Sequence, residues 1–152
     1  MDKEVEKRMQ LMKENCIFCK IIKKEIESQI IFEDDVCLAI LDINPATKGH
    51  ILLMPKEHYM LMPQVPDQVL GHLTYISKYM SDLLKQTLAC DDVSLYIANG
   101  AAAGQQAMHF MAHLIPRYPG DNITFEVIGS NVSSLDLERF ASDLKKKLIS
   151  NS

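Results

Sequence analysis

Three alternate positions near the end of the chain carry residue types that could bind or react with a ligand: His109, Met111 and His113, in the segment GQQAMHFMAHLIPR. Side chains alternate between the two faces of an extended strand, so these three would project from one face. An imidazole changes its protonation near neutral pH, and it can bind phosphate, transfer a proton or ligate a metal. The spacing therefore predicts a reactive strand on which two imidazoles flank a thioether.

A second candidate group is the Cys-x-x-Cys motif formed by Cys16 and Cys19. Two cysteines at this spacing can bind one face of a tetrahedral zinc ion, with two further ligands supplied from elsewhere in the chain. The same motif can also be a redox pair, but a redox motif is expected after a strand of a βαβ unit, and no strand is predicted before Cys16. Zinc is the favoured interpretation, and a redox pair is the alternative.

Length and composition favour one soluble domain without nucleic-acid or membrane partners. The chain has 152 residues, of which 47% are hydrophobic, enough to build a core. Its net charge of -4 argues against nucleic acid, and it has no run of about 18 apolar residues that could span a bilayer. The first residues mix both charge signs, unlike a secretory signal, so we expect a reducing, cytoplasmic location in which the four cysteines are thiols or metal ligands.

Hydrophobic patterning indicates the elements that must position these groups. Residues 1–15 are predicted to form a charged helical extension, and residues 16–152 a single domain. Apolar residues at helical spacing predict a long helix over 66–90 and a closing helix over 135–149. Five strands are predicted, at residues 29–33, 36–41, 50–55, 94–98 and 108–115. Short hairpin-connected strands with helices to one side indicate an α+β sheet.

Three motifs in order make the chain resemble the histidine-triad, or HIT, family of nucleotidyl hydrolases and transferases. They are NCIFCKII, LDINPATKGHILLMPKEH and HFMAHLIPR, and together they extend over residues 15–117. The family pattern His-x-His-x-His matches the alternate positions described above, except at its middle histidine. The resemblance implies an α+β fold built on a five-stranded antiparallel sheet with helices packed on it. It also implies a homodimer whose two sheets run on into each other.

The middle position of the triad is the main departure from the family. In the enzymes that this chain resembles, the middle histidine attacks the α-phosphorus of a nucleoside mono- or polyphosphate, and water then cleaves the nucleotidyl-histidine. That position is Met111, whose neutral thioether has no proton for a base to remove and would form a charged sulfonium. We expect turnover to fall on the order of 10⁴-fold or more, while binding survives. Replacement of the nucleophile by His113 or His50 is disfavoured, because neither would be in line with the leaving group.

The resemblance also implies roles for residues around the triad. His113 would orient the α-phosphate, and His50 would lie beside it at the start of its strand, with a purely structural role in the core as the alternative. Asp42 and Ile43 match the pair that contacts the nucleoside: a carboxylate can accept hydrogen bonds from both ribose hydroxyls, and an aliphatic side chain can cover the base. The alternative for Asp42 is a turn cap.

The loop before the triad strand supplies the remaining contacts that the resemblance implies. Asn99 and Gln105 match family residues whose amides reach phosphate oxygens, and Gly100 and Gly104 would let that backbone approach a ligand closely. Gln106 departs from the small hydroxyl residue that is more usual in the family. By its position in the loop, Gln106 is still a candidate nucleotide-binding residue, but the resemblance does not define its contact with the leaving group.

The two missing zinc ligands are implied by the resemblance as well. Several family members bind zinc through four positions that correspond here to Cys16, Cys19, His58 and His109, a closed Cys2His2 set typical of structural zinc sites. In that interpretation His109 is a metal ligand rather than a catalytic group.

Two functions stay open from the sequence. The first is a nucleotide-binding HIT protein, with AMP as a representative ligand, whose hydrolase chemistry is lost at Met111. The second is a non-catalytic dimeric scaffold or interaction module with a structural zinc site. A natural loss of the nucleophile and a substitution made to trap a bound nucleotide account for Met111 equally well.

Overall fold

A five-stranded antiparallel sheet forms the centre of the fold. The computed structural model describes residues 2–125 and 129–150. The strands are β1 (Ile30–Glu33), β2 (Cys37–Leu41), β3 (Ile51–Pro55), β4 (Asp92–Tyr96) and β5 (Ala112–Arg117). Their order in the sheet is β1-β2-β3-β5-β4, and each neighbouring pair is antiparallel. The α+β class and the five-stranded antiparallel sheet predicted from the sequence are confirmed.

The described residues fall into two compact units, one within 1–122 and the other within 123–152. The first unit contains the sheet and the helices α1 (Lys3–Asn15), α2 (Ile17–Ile22) and α3 (Asp67–Leu88), and the second contains α4 (Ser134–Ser150). The helix predicted for the N-terminal extension is therefore present as α1, and its Lys13 forms an ion pair with Glu57 in the loop after β3. The sequence-based division into an extension over 1–15 and one domain over 16–152 stays a prediction.

Apolar side chains lie on both faces of the sheet. One face carries Ile51, Leu53 and Leu114, which pack in one cluster with Leu73 and Ile76 of α3. The cluster on the opposite face lies against α2 and consists of Ile21, Leu38, Ile40, Leu52, Met54 and Met111. Because successive side chains of a strand point to opposite faces, covering both faces buries β2 and β3 over almost their whole length. This explains why their sequences are apolar without alternation.

The long helix α3 forms where the apolar spacing predicted it. Pro66 lies directly before its first residue, Asp67, whose negative charge complements the positive end of the helix dipole. The helix ends at Leu88, and the next residue, Ala89, has a left-handed backbone conformation with φ of 51°. Its buried face rests on the sheet, and each buried large apolar side chain contributes about 1.5–3 kcal/mol. Among the described residues, no helix is both long enough and apolar enough to cross a membrane.

The strand predicted over residues 108–115 begins later than expected, at Ala112. Its neighbour β3 ends at Pro55, which has no backbone N–H to continue the ladder beyond the pair formed by Leu53 and Ala112. The preceding segment is held differently: the Phe110 N–H donates to the carbonyl of Tyr59 at 2.6 Å. His109 therefore lies just before the strand rather than within it.

Candidate functional site

Four metal-ligating side chains meet at the junction of α1 and α2: Cys16, Cys19, His58 and His109. The Cys16 Sγ lies 3.5 Å from the Nδ1 of His109. The Cys19 Sγ lies 3.2 Å from the Nδ1 of His58 and 3.6 Å from the Nδ1 of His109. Cys19 and His109 are buried, and the other two are partly buried. The structure thus brings together all four residues that the resemblance assigns to zinc.

The hydrogen bond on the far side of His109 suits a metal ligand. Its Nε2 lies 2.9 Å from the carbonyl oxygen of Pro55, which can only accept, so Nε2 carries the proton and Nδ1 holds the lone pair that faces both sulfurs. A backbone carbonyl in this position fixes the tautomer and the orientation of a ligating imidazole. Burial lowers the pKa of His109 to about 4, which keeps the ring neutral, as metal binding requires.

The sulfur atoms complete a donor set that fits zinc. Burial, and then the neighbouring sulfur of Cys16, raise the pKa of Cys19 to about 12, so this thiol stays protonated without a nearby positive charge. A bound divalent cation reverses that preference, because it stabilises a coordinating thiolate. Two sulfurs and two neutral imidazoles are a ligand set of structural zinc sites.

A second cluster forms where β2 ends and where β3 and β5 begin, from Asp42, His50 and His113. The Nε2 of His50 and the Nδ1 of His113 are 3.0 Å apart, and the Oδ2 of Asp42 lies 3.6 Å from the Nδ1 of His50. Burial lowers the pKa of both histidines, and His50 further lowers the pKa of His113, against an opposing effect of Asp42. Both rings are therefore neutral at neutral pH, and they form a hydrogen-bonded pair beside a carboxylate.

Met111 lies between the two clusters along the chain. It is 8% exposed and packs in the apolar cluster that includes Ile21 of α2 and Leu52 of β3. The alternation predicted for this segment is present, because Phe110 and Leu114 pack in the cluster on the other face, under α3. A flexible thioether suits this apolar surrounding, but it offers no proton-coupled nucleophile to a phosphorus atom.

The two residues expected to contact a nucleoside differ in their surroundings. Ile43 is 87% exposed, so its side chain offers apolar surface beside Asp42. The Oδ1 of Asp42 accepts the backbone N–H of Asn44 at 2.8 Å, as a turn cap would. Capping occupies one oxygen of Asp42, whereas its Oδ2 faces His50.

The loop residues Asn99, Gln105 and Gln106 do not join either cluster of titratable groups. Gln105 donates both amide hydrogens to backbone carbonyls, those of Met60 and Ala107, and its Oε1 accepts the N–H of Gly100. The Oδ1 of Asn99 accepts the N–H of Met62 at 3.1 Å. Gln106 is exposed. In this structure the first two amides secure the loop backbone, and their expected contact with phosphate stays a prediction.

Tyr96 is a residue beside His113 that the sequence analysis did not single out. The register of β4 and β5 pairs Tyr96 with His113, and their ring centroids are 5.8 Å apart. The Tyr96 hydroxyl donates to the carbonyl of Ala103 at 2.9 Å. Tyr96 thereby connects His113 to the loop between β4 and β5, which contains Ala103. Only the register of two strands predicted at 94–98 and 108–115 would have revealed it.

Comparison with known proteins identifies the family. The HIT domain model matches residues 23–120. A HIT-like protein of Methanocaldococcus jannaschii is 40% identical over 131 residues, which are 86% of this chain and 98% of the relative. The adenylylsulfatase HINT3 of Arabidopsis thaliana is 38% identical over 110 residues, which are 72% of this chain and 56% of that protein. The chain belongs to the HIT family.

Solved structures agree with this assignment. The histidine triad nucleotide-binding protein of Candida albicans superposes with a TM-score of 0.83 at 28% identity, covering 91% of this chain and 100% of that one. A Zn-bound histidine triad family protein of Mycobacterium smegmatis superposes with a TM-score of 0.71 at 27% identity, covering 92% and 99%. The fold is therefore that of the HIT family.

Proposed function

We propose that this chain binds a nucleoside mono- or polyphosphate such as AMP, and that its hydrolase chemistry is lost or very low because Met111 occupies the position of the nucleophile. The observation that carries the proposal is the His50–His113 pair beside Asp42, with the buried thioether of Met111 two positions before His113 in the chain. Two relatives support a nucleotide ligand by their names, one an adenylylsulfatase and the other a nucleotide-binding protein.

Chemistry divides the proposed function into a retained part and a lost part. Binding requires hydrogen-bond donors for phosphate oxygens and an acceptor for ribose hydroxyls, and His113 and Asp42 supply these groups. Covalent transfer requires a nucleophile that forms a nucleotidyl intermediate which water then cleaves. A thioether cannot do so, because its attack on phosphorus would form a charged sulfonium. The pocket is therefore expected to hold a nucleotide without forming a nucleotidyl-enzyme.

The proposal includes a structural zinc ion held by Cys16, Cys19, His58 and His109. When bound, zinc would link α1 and α2 to the loop after β3 and to the segment that leads into β5. The zinc-bound relative and the donor set described above support it. A homodimer and a cytoplasmic location complete the proposal; the four free cysteines are consistent with a reducing compartment.

Calorimetric titration tests the binding function. We expect AMP or ADP to bind the wild-type protein with a dissociation constant in the micromolar range. Absence of binding heat at several temperatures would contradict the proposal and favour the scaffold function. Binding that persists in Asp42→Ala with unchanged affinity would remove Asp42 from the pocket.

Incubation with adenosine 5'-phosphoramidate and with diadenosine polyphosphates tests the loss of chemistry. We expect AMP release at a rate close to that of the blank, because the nucleophile is absent. Rapid release of AMP, or an adenylylated chain trapped during turnover, would show that another side chain has replaced it.

A further inference from the structure

We infer that the backbone amide of Ala46, acting through His50, sets which nitrogen of His113 carries a proton, so that His113 presents an Nε2–H donor to a phosphate oxygen. The inference rests on the proposed nucleotide pocket and deepens it. Ala46 and His50 are positioning residues in this account. His113 is the residue that contacts the ligand.

The first step is the contact between the loop before β3 and the His50 ring. The Ala46 N–H donates to the Nδ1 of His50 at 3.1 Å. An amide nitrogen only donates, so Nδ1 holds a lone pair and the proton of the neutral ring is on Nε2. The Oδ2 of Asp42 lies on the same side at 3.6 Å, beyond hydrogen-bond reach, so it does not compete for a proton on Nδ1.

The second step is the contact between the two imidazoles. Because the Nε2 of His50 carries the proton, it donates to the Nδ1 of His113, which lies 3.0 Å away. The proton of neutral His113 must then be on its own Nε2, on the opposite edge of the ring. His50 is buried and His113 only partly so, which leaves His113 as the member of the pair that a ligand can reach.

The third step is the rigidity of the loop that supplies the amide. The Thr47 hydroxyl donates to the carbonyl of Pro116 in β5 at 2.6 Å, and the His50 N–H donates to the carbonyl of Thr47 at 3.1 Å. The Asp42 N–H donates to the His50 carbonyl, which closes the loop. Ala46 is exposed through its methyl group and acts through its backbone, so its side chain gives no hint of this role.

The tautomer of His113 determines whether its Nε2 attracts or repels a phosphate oxygen. Phosphate oxygens accept hydrogen bonds, so an Nε2–H on His113 attracts a nucleoside phosphate although the ring is uncharged. In the opposite arrangement, with protons on both Nδ1 atoms, His113 would present a lone pair and repel the same oxygen. The hydrogen-bond chain from Ala46 to His113 thus selects the phosphate-binding form.

Nitrogen-15 NMR of the histidine rings in the nucleotide-free protein tests the chain directly. The sequence has five histidines, so the ring signals can be assigned by single substitutions. We expect both His50 and His113 to be neutral with the proton on Nε2 at neutral pH. A proton on Nδ1 of His113, or equal population of its two tautomers, would overturn the inference.

Ala46→Pro removes the amide hydrogen at the head of the chain and places a ring carbon on the same nitrogen, which cannot donate to His50. The Nδ1 of His50 can then carry a proton and approach Asp42, which reverses both tautomers. We expect an AMP affinity about tenfold weaker, equivalent to the loss of about one hydrogen bond. The conservative variant Ala46→Ser keeps the amide and should retain the wild-type tautomers. Unchanged tautomers in a folded Ala46→Pro protein would overturn the inference.

His50→Leu provides an independent variant if Ala46→Pro does not fold. It removes the donor to His113, so both tautomers of His113 should be populated and AMP affinity should fall several-fold. The control variant His72→Leu, on α3, should leave His113 in its wild-type tautomer. A His113 tautomer unaffected by His50→Leu would overturn the inference. Wild-type protein with the inferred tautomers but no AMP binding would instead overturn the proposed function and the phosphate contact together.

Discussion

In the proposed function, Met111 is the residue that separates nucleotide binding from nucleotide hydrolysis. In the proposed pocket, the Sδ of Met111 takes the place of the attacking imidazole nitrogen, and His50 and His113 form a paired, neutral set. Its surroundings are apolar, so the substitution is compatible with the packing of the sheet face under α2. Loss of the nucleophile therefore does not imply loss of the pocket.

Restoring the nucleophile tests whether the rest of the pocket is competent. Met111→His should raise the rate of AMP release from adenosine 5'-phosphoramidate on the order of 10³-fold or more, because it returns the attacking nitrogen to its position. Its stability should fall by about 1–3 kcal/mol, because a polar ring enters an apolar cluster. Met111→Leu is the matched control and should show no gain in rate. A Met111→His protein that binds AMP but does not release it faster would contradict this account.

At the scale of single elements, the turn between β1 and β2 is joined to α3 by Asp34. Its Oδ1 accepts the N–H groups of Val36 and Cys37, both at 2.8 Å, and its Oδ2 lies 2.6 Å from the Nε2 of His72. Burial alone would raise the pKa of Asp34, but the Cys37 amide, His72 and the Val36 amide outweigh it and lower the pKa to about 2. The ionised carboxylate is therefore part of the fold.

The pH dependence of stability follows from that shift. The ordinary pKa of this carboxyl is 3.8, so the unfolded chain takes up the proton first as the pH falls. Asp34 should contribute about 1–2 kcal/mol above pH ~4, and this contribution should be lost towards pH ~2. Urea unfolding of the wild type and Asp34→Asn should show this difference near neutral pH and a smaller one in acid. Asp35→Asn, at the exposed neighbouring position, should have the stability of the wild type both near neutral pH and in acid. A stability difference between the wild type and Asp34→Asn that does not change with pH would contradict the linkage.

The proposed zinc ion would connect elements that are distant in sequence. Metal analysis of protein purified without a histidine tag should find about one zinc ion per chain, and none in Cys16→Ser, because a closed site needs all four ligands. The variant should also unfold at lower temperature. Cys90→Ser replaces a buried thiol outside the cluster and should retain zinc. Wild-type protein without zinc after purification in zinc-supplemented medium would rule out the metal site.

Sequence patterns predicted much of this arrangement, and their failures have physical causes. Periodicity located α3 because one of its faces is buried, and alternation separated Phe110 from Met111 because each faces a different cluster. The predicted start of β5, at residue 108, was wrong, because Pro55 ends the hydrogen-bond ladder on the neighbouring strand β3. The sequence did not indicate Tyr96 or the Ala46 amide. The first depends on the register of β4 and β5 and the second on a backbone hydrogen bond, and neither can be inferred from the type of residue.

At the scale of the whole molecule, the two edges of the sheet differ. Edge strand β1 has a register irregularity between Ile30 and Phe32, and its Glu33 pairs with Lys24 and Lys56. Bulges and charged side chains protect an edge from pairing with another chain. The other edge, β4, carries Leu95 with a 53% exposed side chain. The proposed dimer should therefore form through β4.

Light scattering coupled to size-exclusion chromatography tests this arrangement. The wild-type protein should have the mass of a dimer, and Leu95→Arg should shift it towards the monomer, because a charge is placed in a pairing edge. Ile30→Arg, on the opposite edge, is the matched control and should stay dimeric. A wild-type monomer at micromolar concentration, or dissociation by Ile30→Arg alone, would contradict the assignment of the edge.

The proposed metal site and the proposed nucleotide pocket share one short piece of backbone, since His109 belongs to the first and His113 to the second. Occupancy of the two sites is therefore subject to thermodynamic reciprocity: whatever factor zinc applies to the affinity for AMP, AMP must apply to the affinity for zinc. In the proposed function, the chain would in this way still report on its nucleotide without turning it over, through the affinity with which it holds its metal.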